Sequence, residues 1–230
     1  MANEAVKILF VDAEKVALRA LERELEDEPF ELLLANGGKE ALELLMNNEI
    51  AVFATALMMP IIGGQELLNI VKNDYPDTIR LIFSGTSDMK KIKKIISQGD
   101  ANIYLTKPFK FEEELKPKLA QSLEMYEEKN AIKSLKKVLF ITLEKIRDGI
   151  FVFNSAGEVR YMNPAGKSLL GNQLENIKKY MLNVSQKDGN RQMAFPGEGG
   201  VELILELIAT NIEWESERAN IAYLWKKTGE

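Results

Sequence analysis

The sequence has 230 residues, of which 35 are acidic and 30 are basic, so its net charge is −5. It contains no cysteine and no histidine, which excludes disulfides, thiolate or imidazole metal sites, and catalysis by either side chain. The negative charge does not favour a nucleic-acid partner, and the sequence has no apolar run long enough to span a membrane. We therefore expect a cytoplasmic protein. We also expect two domains, because one domain usually has about 150 residues or fewer.

The first half of the sequence alternates short apolar runs with amphipathic segments. The runs predict strands at Lys7–Val11, Glu31–Ala35, Ala51–Thr55, Arg80–Phe83 and Asn102–Leu105. The amphipathic segments predict helices at about Lys15–Glu26, Gly38–Asn48, Gly64–Asp74, Met89–Gln98 and from about Glu113 onward. Because the runs are rich in apolar residues and do not alternate with polar ones, we expect an α/β doubly wound domain with a five-stranded parallel sheet. Sites in such sheets lie at the carboxyl ends of the strands.

Four motifs stand at those strand ends: ILFVDAE, ATALMMPIIGG, LIFSGTSD and YLTKPF. In order and spacing they resemble the receiver domain of two-component response regulators, over about residues 5–126. The resemblance implies a flavodoxin-like receiver domain at residues 1–126 that takes a phosphoryl group from a histidine kinase onto an aspartate. It also implies a Mg²⁺ ion, held by that aspartate and by an acidic pair after the first strand.

The resemblance assigns a role to each residue of the expected phosphorylation pocket. The acidic pair corresponds to Asp12 and Ala13, and the phosphoacceptor position corresponds to Ala56. The metal-binding carbonyl falls on Met58, the phosphate-binding lysine on Lys107, and the cis-forming proline on Pro108. The switch hydroxyl falls on Ser84 and the switch aromatic on Tyr104.

The sequence departs from the receiver pattern at its acidic residues. Ala56 has no oxygen to phosphorylate, and Ala13 removes another carboxylate, so only Asp12 remains as a metal ligand. We expect weak or absent Mg²⁺ binding and no other cofactor, because one carboxylate makes a poor Mg²⁺ site. Lys107 is then expected to pair with Asp12. Two interpretations stay open, a natural pseudo-receiver used for docking or dimerisation and an engineered alanine variant of a phosphoryl-accepting regulator.

A helical linker is predicted over residues 113–147, continuing the last receiver helix. This stretch has no glycine, and its only proline, Pro117, lies in the first turn, where proline is tolerated. Its second half repeats apolar residues, and one threonine, at alternating spacings of three and four residues. These residues are Ile132, Leu135, Leu139, Thr142 and Ile146. That spacing is typical of a two-stranded coiled coil and predicts a homodimer. The alternative is that this helix packs on the second domain.

The last part of the sequence, residues 140–230, predicts an α+β domain with an antiparallel sheet. The stretch IRDGIFVFNSAGEVRYMNPAG predicts two strands and a short helix, with Asn163 as a turn or helix cap. The stretch VELILELIATNIEWESERANIAYLW predicts two long strands joined near Glu215–Arg218. Both stretches resemble a PAS domain, a family of ligand sensors and dimerisation modules. Residues 172–200 between them are few, which favours a small or filled pocket over a bound ligand.

Together these features predict a non-enzymatic two-component response regulator with receiver and PAS domains. As written, it would not accept phosphate on aspartate and would act as a dimerising or docking module. Its expected partners are a second copy and a histidine kinase or another signalling protein. The alternative from the PAS resemblance is a sensor of a small ligand in which the receiver serves as a scaffold.

Overall fold

The computed structural model describes residues 5–85, 89–154, 156–170, 191–196, 202–214 and 217–226. The chain divides into two compact units, Met1–Lys133 and Ser134–Glu230. The division falls inside the predicted linker. Within the described ranges, no helix is both long and apolar enough to cross a lipid bilayer.

The first unit contains five parallel strands and four helices that connect them. The strands are β1 (Lys7–Val11), β2 (Glu31–Ala35), β3 (Val52–Ala56), β4 (Ile79–Gly85) and β5 (Ile103–Lys107). The helices are α1 (Lys15–Glu24), α2 (Gly38–Asn47), α3 (Gly64–Asp74) and α4 (Met89–Ser97). The strand order is β2-β1-β3-β4-β5, so the sheet is the predicted doubly wound one.

Helices cover both faces of this sheet. Successive side chains of a strand point to opposite faces, and β1 accordingly contributes Phe10 to one apolar cluster and Leu9 to another. Leu21 of α1 packs in the first cluster, and Leu67 of α3 packs in the second. The apolar strand runs are therefore buried on both sides, which confirms the fold class predicted for this half of the chain.

A long helix, α5, follows β5 and a π-helical turn at Phe111–Leu115. It spans Lys116–Lys145 without a break. In its first turns Leu119 is buried in the core of the first unit. Farther along, the ammonium of Lys129 donates a hydrogen bond to the carbonyl oxygen of Pro76, and Lys133 forms an ion pair with Asp77. Every residue from 131 to 142 is exposed.

The second unit contains a five-stranded antiparallel sheet in the order β7-β6-β10-β9-β8. Its elements are β6 (Gly149–Asn154), β7 (Val159–Met162), α6 (Pro164–Leu170), β8 (Arg191–Pro196), β9 (Glu202–Trp214) and β10 (Glu217–Lys226). Glu217 pairs with Trp214, which agrees with the predicted hairpin, although residues 215 and 216 are outside the described ranges. The sequence analysis did not predict the strand β8. The rest of the stretch 172–200 is not described.

Both the end of α5 and α6 contact the first strands of this sheet. A Cβ atom on Gly166 of α6 would lie 3.0 Å from the ring of Phe151, so α6 packs closely on β6. The rings of Phe140 in α5 and Tyr161 in β7 meet edge to face, with centroids 6.1 Å apart. The predicted alternative, packing of the linker helix on the second domain, is therefore present for the last turns of α5.

Candidate functional site

The predicted site residues lie at the carboxyl edge of the first sheet, where the parallel strands end together. Asp12 follows β1, Ala56 ends β3, Ser84 is next to last in β4, and Lys107 ends β5. Asp12 and Lys107 line a groove of about 370 Å³ whose floor includes the ring of Phe83. The strand order alone thus brings four residues that are distant in sequence to one edge of the fold.

Asp12 and Lys107 form an ion pair in this groove. The Lys107 Nζ atom lies 2.5 Å from Asp12 Oδ2, and Asp12 Oδ1 accepts a hydrogen bond of 3.1 Å from the backbone N–H of Glu14. The Asp12 side chain is buried, whereas that of Lys107 is 31% exposed. The ammonium also lies 4.8 Å from the centre of the Phe83 ring. Both carboxylate oxygens are engaged, and the pairing of Lys107 with Asp12 predicted from the sequence is present.

Asn36 holds the backbone of Asp12 and Ala13, the positions that correspond to the acidic pair. Its Nδ2 donates to the carbonyl oxygens of Asp12 and Ala13, at 3.0 and 2.9 Å. The loop after β1 is thus fixed from the end of β2 without any contribution from a side chain at position 13. The sequence prediction missed Asn36. Its place directly after β2, the strand beside β1, was the available signal.

The backbone at Ala56 is held just as closely. The carbonyl oxygen of Ala56 accepts a 3.0 Å hydrogen bond from the Thr55 hydroxyl, and the N–H of Leu57 donates to the Phe83 carbonyl at 3.1 Å. A Cβ atom on Gly64 would lie 2.0 Å from the Ala56 oxygen, so only glycine fits there. These contacts fix the end of β3 and the start of α3 with no requirement on the side chain at position 56.

The remaining predicted pocket residues are dispersed. Ser84 is buried within β4, and the peptide bond between Lys107 and Pro108 is cis. Met58 is 66% exposed, and Tyr104, on the edge strand β5, is 45% exposed. The structure therefore brings Asp12, Lys107 and Pro108 together around the groove, and it leaves the side chains of Met58 and Tyr104 at the surface.

The donor set at this edge does not fit a Mg²⁺ ion. In the described part of the chain, no three carboxylate side chains converge on one point. Asp12 supplies one carboxylate, and a lysine ammonium already occupies one of its oxygens. Mg²⁺ prefers an octahedron of oxygen ligands that usually includes more than one carboxylate or a phosphate.

The predicted seam on α5 is largely uncovered. Ile132, Leu135 and Leu139 are 55%, 64% and 62% exposed, and Ile146 is half-buried. Val138 is 61% exposed beside them, a contribution that the sequence prediction did not include. At 3.6 residues per turn, the seam lies about a third of a turn from Lys129 and Lys133, the residues that contact the first unit. In the described part of the chain, the contacts of α5 thus leave Ile132, Leu135 and Leu139 exposed.

The comparisons with known proteins agree with the fold of the first unit. Residues 8–119 match the family model described as the response regulator receiver domain. These residues of the chain are a response regulator receiver domain. Such domains are signalling modules of two-component systems.

Relatives of the receiver domain come from several kinds of regulator. The solved receiver domain of an HD domain-containing protein from Pseudomonas fluorescens Pf-5 is 34% identical, covers 54% of this chain and 99% of that one, and has a TM-score of 0.51. Response regulator MprA of Mycobacterium sp. (strain KMS) is 31% identical over 47% of this chain and 46% of its own length. The cyclic di-GMP phosphodiesterase of Thermotoga maritima is 29% identical over 63% of this chain and 39% of its own. The chain thus spans less than half of these two curated relatives.

Proposed function

We propose that this chain is a two-component response regulator whose receiver domain works without accepting a phosphoryl group on aspartate. In this proposal the receiver is a docking and dimerising module rather than a phosphorylation switch. The observation that carries it is the Asp12–Lys107 ion pair at a sheet edge where positions 13 and 56 are alanine.

Phosphoryl transfer to a receiver needs a carboxylate oxygen that attacks phosphorus and cations that neutralise the transferring group. Ala56 offers no such oxygen. Asp12 is the one carboxylate carried over from the metal site, and its Oδ2 faces an ammonium 2.5 Å away. The lysine that would hold a phosphoryl oxygen is therefore already paired. These features support a receiver in which the Asp12 carboxylate and the Lys107 ammonium are paired with each other, and so are not available to a metal ion or a phosphoryl group.

The exposed seam on α5 supports dimerisation. Isoleucine occupies two of the positions that correspond to a in a heptad, Ile132 and Ile146, and leucine occupies the d position at Leu135. β-branched residues at a with leucine at d favour two-stranded parallel coiled coils. We therefore propose a second copy of the chain as the partner of the seam, with a histidine kinase or another signalling protein as the partner of the receiver.

The second unit is included in this proposal as a PAS-like domain. The two stretches that resemble a PAS domain form β6, β7 and α6 on one side and the β9–β10 hairpin on the other. They meet in one antiparallel sheet, in which β10 pairs with both β6 and β9. We propose that this unit transmits or receives changes in the geometry of α5.

The test is the intact mass of the protein after incubation with acetyl phosphate and Mg²⁺. The chain as it stands is compared with Ala13→Asp/Ala56→Asp, which restores both missing acids, and with Ala13→Asp/Ala56→Asn, which restores the metal ligand but no acceptor. We expect one added phosphoryl group on the first variant and none on the second variant or the unmodified chain.

A phosphoryl group on the unmodified chain would overturn the proposal. If the variant with both aspartates is folded but not phosphorylated, the pocket has lost more than its acids, and docking independent of phosphorylation is supported further. Phosphorylation of that variant alone shows that only the two side chains are missing. In both cases the unmodified chain is inert, as proposed.

A further inference from the structure

Asn163 is a buried amide at the start of α6 whose side chain contacts three elements. Its Oδ1 accepts hydrogen bonds from the backbone N–H groups of Ile150, at 2.8 Å, and Gly166, at 2.9 Å. Its Nδ2 donates to the carbonyl oxygens of Leu143, at 3.0 Å, and Asp148, at 2.9 Å. One side chain thereby joins β6, α6 and the end of α5.

The bond to Leu143 satisfies a carbonyl that the helix itself leaves without a partner. The last four carbonyl groups of an α-helix have no N–H donor within it, and Leu143 lies in the last turn of α5. The bond to Asp148 holds the segment between α5 and β6. Because the same Nδ2 atom binds both, the end of the helix and the chain leaving it are fixed to one point.

A second contact from the same part of the sheet supports this attachment. Tyr161 lies two residues before Asn163, and its hydroxyl donates a hydrogen bond of 3.1 Å to Glu144 Oε1. Its ring packs edge to face on Phe140. The last two turns of α5 are therefore held by an aromatic contact and by hydrogen bonds from Tyr161 and from the buried Asn163.

We propose that Asn163 is the positioning residue that couples α5 to the second unit. A displacement of the end of α5 must either carry β6 and α6 with it or break the bonds of a buried amide, which costs free energy because the carbonyls then lose their donors. Since α5 starts at Lys116 in the receiver unit and continues unbroken to Lys145, this amide is where a movement of the helix reaches the second sheet.

The substitution Asn163→Asp separates the two roles of the side chain. Aspartate keeps an oxygen that accepts from Ile150 and Gly166, but it loses the donor and turns a carboxylate oxygen towards the carbonyls of Leu143 and Asp148. The matched control is Asn154→Asp. Asn154 is also buried, and among the described residues its side chain bonds within the β6–β7 turn, to the N–H groups of Ala156 and Glu158 and to Glu158 Oε2.

Amide hydrogen exchange of the full-length chain, resolved by peptide, measures the effect. In Asn163→Asp we expect exchange about tenfold faster in residues 140–147, with residues 149–154 and 164–170 within about twofold of the unmodified protein. The control Asn154→Asp is expected to leave residues 140–147 unchanged. Asn163→Ser gives a second test of residues 140–147, which should again exchange faster, because serine caps α6 but is too short to reach α5.

The mobility of a spin label on α5 distinguishes coupling from a purely structural role. If Asn163 only stabilised the sheet, its substitution would not change that mobility. The chain has no cysteine, so Lys145→Cys and Lys137→Cys, two exposed positions of α5 outside the seam, each create a unique labelling site. In Asn163→Asp the label at position 145 should gain mobility, whereas the label at position 137 should not.

Two outcomes overturn the proposal. One is unchanged exchange in residues 140–147, and the other is an equal acceleration in β6 and α6, which would make Asn163 a structural residue of the sheet alone. Neither measurement involves phosphoryl transfer. The coupling and the proposed function can therefore fail separately.

Discussion

The two halves of α5 belong to one helix but lie in opposite environments. In the first half, Leu119 is 2% exposed and packs in the receiver core. In the second half, Leu139 is 62% exposed, and no residue from 131 to 142 is covered. Folding of the receiver therefore accounts for the apolar residues of the first half only. A run of exposed apolar side chains of this kind marks an interaction surface.

The same substitution in the two halves should have opposite consequences. Leu119→Ala leaves a cavity in a packed core, so we expect the receiver to lose about 2–4 kcal/mol of unfolding free energy. Urea unfolding followed by far-UV circular dichroism measures the loss. Trp214 and Trp225, the only tryptophans, both fall in the second unit, so their fluorescence should report an unchanged second transition. A loss below about 1 kcal/mol would contradict the packing described for α5.

Leu139→Ala should leave the unfolding of the monomer almost unchanged, because the side chain is exposed. It should weaken self-association by about tenfold, because in the proposed dimer the second copy covers this side chain. Analytical ultracentrifugation across a concentration series measures the dissociation constant. Lys137→Ala is the control, since position 137 lies about half a turn from the seam. An unmodified protein that stays monomeric at high micromolar concentration would contradict the proposed dimer.

A smaller effect is expected at the ion pair of the receiver pocket. Lys107→Met leaves the buried Asp12 carboxylate without its partner, and we expect a loss of about 1–2 kcal/mol, moderated by solvent around the partly exposed lysine. Asp12→Asn/Lys107→Met should recover most of this loss, because asparagine carries no charge and still accepts from Glu14. Urea unfolding of the receiver measures both. Equal stability of the single and double variants would rule out an electrostatic role for the pair.

The smallest expected effect is a pH dependence at the end of α5. Burial raises the pKa of Tyr161 above its ordinary value of 10.0, and the hydrogen bond to Glu144 raises it further. The folded state therefore keeps a proton that the unfolded state loses, so this contribution to stability is complete below pH 10 and is lost as the pH rises through the folded pKa. The stability difference between the unmodified protein and Tyr161→Phe should be constant below pH 10 and should shrink as the pH rises above 10. Urea unfolding followed by tryptophan fluorescence measures it, and a difference independent of pH would contradict the raised pKa.

Most of the receiver fold follows from local sequence patterns. The predicted bounds of β1 and β2 agree with the structure, because their apolar runs end at polar or glycine residues. The strand β4 extends beyond its predicted end at Phe83, since Ser84 and Gly85 still pair with Thr106 and Lys107 of β5. The strand β8, with the sequence RQMAFP, has no clear alternation and becomes a strand through its pairing with β9.

The sites differ in how far sequence could predict them. Asp12 and Lys107 lie at one sheet edge because both stand at the carboxyl ends of parallel strands. Since β3 and β4 lie between β1 and β5, the contact between the two residues depends on the reach of the Lys107 side chain. The cap of Asn163 on α6 is a local feature, and the prediction of a capping residue is confirmed. Its bonds to Leu143 and Asp148 depend on how α5 meets the sheet, which no short pattern specifies.

Gly64 makes position 56 a site where the side chain can be exchanged without moving the backbone. Its close approach to the Ala56 carbonyl, with the hydrogen bonds on either side, holds the end of β3 through main-chain atoms. A side chain other than alanine at position 56 therefore meets a loop that keeps its path. A variant at this position tests the chemistry of the pocket and leaves the scaffold around it intact.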